Sequence, residues 1–142
     1  VHIQSSMRTK TWVYCPPKPK VPGAVKVELR TKATELIETV LKPKHVKRPP
    51  KNTKWNYIVD LYTKWHRNYF YFCAKYACPG PNALSPFFET GFARLEYVGR
   101  VGGQNRFNMS YMRHTGKWWE IRHTLSLEQC LAEIREGGFF QP

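Results

Sequence analysis

The 142-residue sequence predicts an α+β fold: an extended basic arm, a helix, an antiparallel meander of about five strands and a C-terminal helix. Two changes of pattern predict it. Apolar residues recur every three or four positions between residues 24 and 42, and from residue 55 onward they alternate along short segments separated by turn residues. These patterns divide the chain into the arm (1–23), the helix with a basic connector (24–54) and the sheet domain (55–142).

The arm and the connector are both rich in Pro and Lys. Residues 11–23, TWVYCPPKPKVPG, contain four prolines, which exclude a helix interior and favour an extended chain. The connector KPKHVKRPPKNTK, residues 42–54, has six basic residues, three prolines and no acidic residue. Such a segment is costly to order without counter-charge. It is interpreted as a phosphate-facing connector, and the alternative is a solvated linker without fixed structure.

Between arm and connector, AVKVELRTKATELIETVLK is typical of an amphipathic helix. Val25, Leu29, Ala33 and Leu36 recur at helical spacing, and Pro43 is expected to end the helix.

The second half predicts a meander. Alternating apolar residues indicate strands at about 55–65, 69–77, 91–98, 106–112 and 117–123, with a proline-rich loop at 78–86. In the first strand, Trp55, Tyr57, Val59 and Leu61 are expected to face the core. Most of the alternating aromatic residues of the first two strands, Phe70 and Phe72 among them, are also expected to be core. GRVGG, residues 99–103, is read as a hairpin turn. Ser126 with Gln129 forms a capping-box pattern before the last helix, which Gly137 ends.

Charge indicates the class of partner. The formal net charge is +13, and 13 of the 23 basic residues but only three of the ten acidic ones lie in residues 1–54. This asymmetry favours a polyanion such as RNA. No apolar run reaches the roughly 18 residues of a membrane span, so no membrane partner is expected. The acid-poor, Arg- and Ser-containing start is typical of sequence near a mitochondrial or plastid transit peptide, and a basic nucleic-acid-binding tail is the other reading.

The sequence contains no recognisable catalytic or phosphate-cradling motif. Cys73 and Cys78 lack CxxC spacing, and Cys15 and Cys130 stand alone, so free thiols are expected rather than a zinc site. His66 and His114 lie at predicted turns beside arginines, where contact with phosphate or water is expected. We therefore expect no enzyme activity, cofactor, metal or small-molecule substrate.

The expected RNA-binding residues are basic side chains of the arm, the connector and the hairpin turns, because Lys and Arg neutralise phosphates and release counterions. They are Lys18, Lys20, Lys42, Lys44, Lys47, Arg48, Lys51, Lys54, Arg100, Arg106 and Arg113.

The segment GFARLEYVGRVGGQNRFNMSYMRHTGKWWEI resembles the core of the mitochondrion-specific small-subunit ribosomal protein thirty-four family, in an aromatic-Arg-Leu strand (residues 92–95) and a later turn at Gly116-Lys117. Residues 93–119 with the final LSLEQCLAEIREGGFF also resemble a small bacterial domain of unknown function. The first resemblance implies a structural component of the mitochondrial small ribosomal subunit, with rRNA and neighbouring ribosomal proteins as partners. It also implies the mitochondrial matrix, rather than a plastid, as the location. The alternatives are a free-standing organellar RNA- or DNA-binding factor and an RNA-processing enzyme that uses a histidine.

Overall fold

A computed structural model describes residues 18–48 and 54–142. It contains three α-helices, a π-helical turn, five strands and a final 3-10 turn. In chain order these are α1 (Gly23–Leu36), the π-turn (Ile37–Leu41), α2 (Lys42–His45), β1 (Tyr57–His66), β2 (Tyr69–Ala77), β3 (Phe87–Val101), β4 (Gln104–Met112), β5 (Trp118–Ser126), α3 (Leu127–Glu136) and the 3-10 turn (Gly138–Phe140). The predicted α+β class is confirmed, as is the order of helix, five-stranded antiparallel meander and C-terminal helix.

The five strands form one antiparallel sheet in the order β1-β2-β3-β4-β5, so each strand pairs with its neighbours in sequence. The β3–β4 connection is the predicted hairpin turn, made by Gly102 and Gly103 at φ 62° and 80°. Two residues at positive φ are what a tight hairpin turn requires, and only glycine adopts them without cost.

The helices cover one face of the sheet and bury its alternate side chains. Leu29 of α1, Phe70 and Phe72 of β2 and Leu95 of β3 are fully buried there. Ile134 of α3 completes the same cluster, and α1 and α3 contact each other in this layer. Burying a Leu or Phe side chain contributes about 1.5–3 kcal/mol, so this face supplies most of the stability of the domain.

The prediction that the first helix ends at Pro43 is wrong. The helix passes through the π-turn, in which the Lys42 N–H bonds to the Ile37 carbonyl, and continues to His45. Pro43 then lies in the first turn of a new α-helical segment, where its missing N–H costs nothing. The π-turn therefore carries the helix into what the sequence suggested was connector.

The prediction for β1 is partly wrong. Leu61 is buried as expected, but Trp55 precedes the strand and is 82% exposed, and Tyr57 is only half-buried. The pairing with β2 shifts between Ile58 and Asp60. A bulge of this kind breaks the strict alternation of faces on which the prediction depended.

The C-terminal capping box is confirmed. The Ser126 hydroxyl accepts the Gln129 N–H at 3.2 Å, and the Gln129 side chain accepts the Ser126 N–H at 2.8 Å. The predicted strands β3, β4 and β5 are each longer than expected, and β5 runs directly into α3.

Residues 1–17 of the predicted arm, with Cys15, and residues 49–53 of the connector, with Lys51, lie outside the described residues. The end of the arm is described, and it packs on the domain. Val21 is buried in the core, and the Asn68 side chain donates a hydrogen bond to the Pro19 carbonyl at 3.1 Å. The core therefore begins before residue 23, which the sequence had assigned to the arm.

Candidate nucleic-acid interface

The sheet face opposite the helices carries an aromatic and basic cluster. Tyr69 and Tyr71 alternate along β2 with the buried Phe70 and Phe72, so the tyrosines point away from the core. Strand pairing places Arg94 beside Tyr71. Trp118 of β5 and Lys64 of β1 belong to the same face. We call Lys64, Tyr69, Tyr71, Arg94 and Trp118 the open-face cluster.

The side chains of the open-face cluster form a continuous series of contacts across the sheet. The Arg94 guanidinium carbon lies 4.3 Å from the centre of the Tyr69 ring and 5.1 Å from that of Trp118. The Trp118 ring lies 5.7 Å from the ring of Tyr71, and the Lys64 Nζ lies 5.7 Å from the same tyrosine ring. Cations over aromatic faces are attracted by the ring quadrupole, so the cluster holds its shape without a carboxylate.

Trp118 reaches this position because residue 91 is glycine. A Cβ at Gly91 would lie 2.9 Å from Trp118 Cζ2, which is closer than real Cβ contacts allow. The indole therefore lies against the bare backbone of β3. Beside it is a groove of about 360 Å³. It is lined by Lys64, His66, Tyr71, Cys73, Gly91, Met112 and Trp118.

The carboxylates on this face already form ion pairs or hydrogen bonds with other side chains of the protein. Lys18 from the end of the arm makes an ion pair with Glu96 and lies over the Tyr69 ring, 5.8 Å from its centre. The Tyr62 hydroxyl donates to Glu89. Burial and this carboxylate raise the pKa of Tyr62. Arg94, by contrast, has no ion pair within the described chain, and its Nε is buried without a hydrogen-bond partner there.

The described basic residues that were predicted to bind RNA from the arm and the connector fall into two groups. Lys18 and Lys42 are held by carboxylates; the Lys42 Nζ lies 2.7 Å from Glu38 and 3.3 Å from Asp60, and these contacts raise its pKa. The others are exposed, and no ion pair joins them to a described acidic residue. They are Lys20, Lys44, Lys47, Arg48 and Lys54.

The three arginines predicted at the hairpin turns lie at opposite ends of the sheet. Arg100 and Arg106 flank the β3–β4 turn, where they donate to the carbonyls of Gly103 and Val101 respectively. Arg113 follows β4 at the other end, with its guanidinium 4.0 Å from the centre of the Trp119 ring. The structure thus brings two of the three together and does not gather all of them into one turn cluster.

His45 lies at the end of α2, next to the exposed connector lysines. Burial, then the charges of Lys44 and Lys47, lower the pKa of its imidazole. Protonated His45 is therefore disfavoured in the free protein, because its charge would be partly buried and would lie beside those of Lys44 and Lys47.

A second groove, of about 500 Å³, lies at the β2–β3 loop and is mainly apolar. Leu84, Phe87 and Phe88 line it, and all three are exposed. Exposed apolar surface of this kind is typical of a contact with another macromolecule.

Within residues 18–48 and 54–142, no group of three or more His, Cys, Asp or Glu side chains could hold a metal ion. Over the same residues, no helix combines the length and apolar character needed to cross a bilayer. Cys73 and Cys130 are buried free thiols, and burial raises the pKa of Cys130 to about 12.

The open-face cluster is not among the features that the sequence predicts. The alternation of aromatic residues predicts chiefly core positions, which is confirmed for Phe70 and Phe72. The signal that could have found it is the order YFYF at 69–72, which places phenylalanines on one face and polar-tipped tyrosines on the other.

A family model described as a domain of unknown function, DUF3024, matches residues 21–142. No curated protein and no solved structure matches the chain. The match begins at Val21, which is the first buried residue in the described part of the arm.

Proposed function

The chain belongs to the DUF3024 family, and since that description names no activity, we propose from its surface that the protein binds RNA and acts as a non-enzymatic component of a ribonucleoprotein. The finer proposal, drawn from the resemblance of residues 91–121, is the small subunit of the mitochondrial ribosome, in the matrix, with rRNA and ribosomal proteins as partners.

The observation that carries RNA binding is an excess of cations without intramolecular counter-charge. Seven of the ten acidic residues lie within 4 Å of a basic nitrogen. Among the described basic residues, these contacts engage Lys18, Lys32, Lys42, Arg122 and His123. The charge of most described Lys and Arg side chains is therefore left for an external partner, and a nucleic-acid backbone supplies a row of negative charges at regular spacing.

The test is equilibrium binding of a fluorescently labelled RNA to the purified protein at several salt concentrations. We expect a dissociation constant that rises steeply with salt, as counterion release requires. Binding that is absent at 50 mM salt, or insensitive to salt, would refute the proposal.

The ribosomal assignment needs a separate test, since a free-standing organellar RNA- or DNA-binding factor has the same charge. A tagged chain should sediment with small ribosomal subunits from an organelle lysate at moderate salt. If the tagged chain instead remains in the fractions of unassembled protein and still binds RNA, the free-standing factor is favoured. RNA turnover that is abolished by changing His66 or His114 would favour an enzyme instead.

Packing against a neighbouring protein is supported by the apolar groove at the β2–β3 loop. A photo-crosslinking residue in place of the exposed Leu84 should give a discrete protein adduct within the assembled particle. A crosslink to RNA alone at this position would count against a protein neighbour there.

A further inference from the structure

We infer that the open face of the sheet is a platform for the unpaired bases of single-stranded RNA, with Trp118 and Tyr71 stacking on bases and Lys64 and Arg94 contacting phosphates. This inference rests on the proposed function and adds the form of RNA that is bound and the residues that select it.

The first support is the position of the aromatic side chains. Tyr69, Tyr71 and Trp118 are half-buried on the face away from α1 and α3, while β2 buries Phe70 and Phe72 on the core face. Packing in the hydrophobic core therefore explains the two phenylalanines, but it does not explain the aromatic rings on the open face. Partly exposed rings on an antiparallel sheet provide the flat surface on which bases stack, and every base has a face that can do so.

The second support is charge placed beside these rings. Arg94 stands between Tyr69 and Trp118, and no described carboxylate pairs with it. A half-buried guanidinium without a counter-ion is costly unless a ligand anion satisfies it, and a phosphate accepts from Arg in a bidentate way. The exposed Lys64 lies over Tyr71 at the other side of the cluster. The carboxylates nearby, Glu89 and Glu96, already accept from Tyr62 and Lys18.

The third support is the size of the groove. Its volume of about 360 Å³ lies near the lower limit for small-ligand pockets, which suits one base with its sugar. The walls are the Trp118 and Tyr71 rings, with His66 and Lys64 at the β1 side. A duplex keeps its bases paired and stacked inside, so it cannot present a base face to these rings. The geometry therefore favours a single strand.

The experiment compares two labelled ligands, a 12-nucleotide oligouridylate and a 12-base-pair RNA duplex, with the whole chain. The Trp118→Leu variant should bind the single strand about tenfold more weakly, the loss expected for one stacked base, while duplex binding and both salt slopes stay unchanged. Trp118→Phe, which keeps an aromatic face, should restore most of the single-strand affinity.

The matched control is Trp119→Leu, because Trp119 is adjacent in sequence and faces the other side of β5, opposite Tyr111. It should leave single-strand affinity within about twofold of the native value. Circular dichroism and thermal unfolding must show that each variant is folded. If Trp118→Leu fails to fold, Tyr71→Leu takes its place with the same expectation.

The outcomes separate the two proposals. Equal loss for both ligands, no loss for either, or equal loss in Trp119→Leu overturns the stacking platform while RNA binding stands. If neither RNA binds to the native protein, the proposed function itself fails. Loss of single-strand binding that Trp118→Phe does not restore also contradicts stacking and indicates a packing role for the indole.

Discussion

The two groups of lysines allow a sharp test of where RNA binds. Lys44 and Lys47 are exposed at the end of α2, and neither forms an ion pair with a described carboxylate. Lys32 and Lys42 are each held by two carboxylates. Replacing either pair by Gln removes two positive charges, so the two double variants have the same net charge and differ only in which cations are lost.

The magnitude follows from counterion release. Each phosphate contact contributes about 0.7 to the slope of log K against log salt for a single strand, so losing Lys44 and Lys47 should reduce the slope by about 1.4. Between 50 and 200 mM salt, that corresponds to roughly a sevenfold smaller loss of affinity. The Lys32→Gln/Lys42→Gln variant should keep the native slope, because its lysines already neutralise protein carboxylates.

The assay is anisotropy of a labelled single-stranded RNA at five or more salt concentrations, with thermal unfolding to confirm that both variants are folded. Equal reductions of the slope in the two variants would show that net charge alone matters and that the connector is not a preferred contact. An unchanged slope in Lys44→Gln/Lys47→Gln would show that these lysines do not face phosphates.

Three further predictions concern single side chains. Ser126→Ala should lower the free energy of unfolding by about 1 kcal/mol in urea titration, because one N–H at the start of α3 loses its acceptor. His45→Asn should flatten the pH dependence of RNA binding between about pH 5.5 and 7.5. In the free native protein the pKa of His45 lies below the usual 6.5. A phosphate bound nearby should raise this pKa, so RNA binding by the native protein should strengthen as the pH falls. A native profile as flat as that of the variant would refute this linkage. Cys130, whose pKa is raised to about 12 by burial, should resist a thiol reagent at pH 8 until the chain unfolds, because the thiolate is the reactive form; modification of Cys130 at the rate of a free thiol in the folded protein would contradict its burial.

The features predictable from the sequence are those fixed by local chemistry. The strand at 69–77 and the capping box at Ser126 match the structure residue for residue, because alternation and helix capping depend on residues a few positions apart. The Gly102-Gly103 turn is predictable for the same reason, since only glycine readily adopts two successive positive φ angles.

The features that the sequence could not predict depend on contacts between distant segments. Nothing local to Pro43 shows that a π-turn will carry the helix past it, because that choice is settled by packing of the helix against the sheet. The register shift between Ile58 and Asp60 in β1 likewise depends on pairing with β2, and Trp55 lies before the strand and outside the core. The open-face cluster joins residues from four strands, and its central contact depends on a glycine, Gly91, far from Trp118 in sequence.

The meander order has a consequence for the path of folding. Every strand pair joins sequence neighbours, so each closes a short loop and costs little entropy. Helix α1 contacts the sheet and α3, and its buried residue Leu29 belongs to the same core as Ile134 near the other end of the chain. We therefore expect the meander to form in the transition state and α1 to dock after it. On this reasoning, truncating Leu95 in β3 should mainly slow folding, whereas truncating Leu29 should mainly speed unfolding.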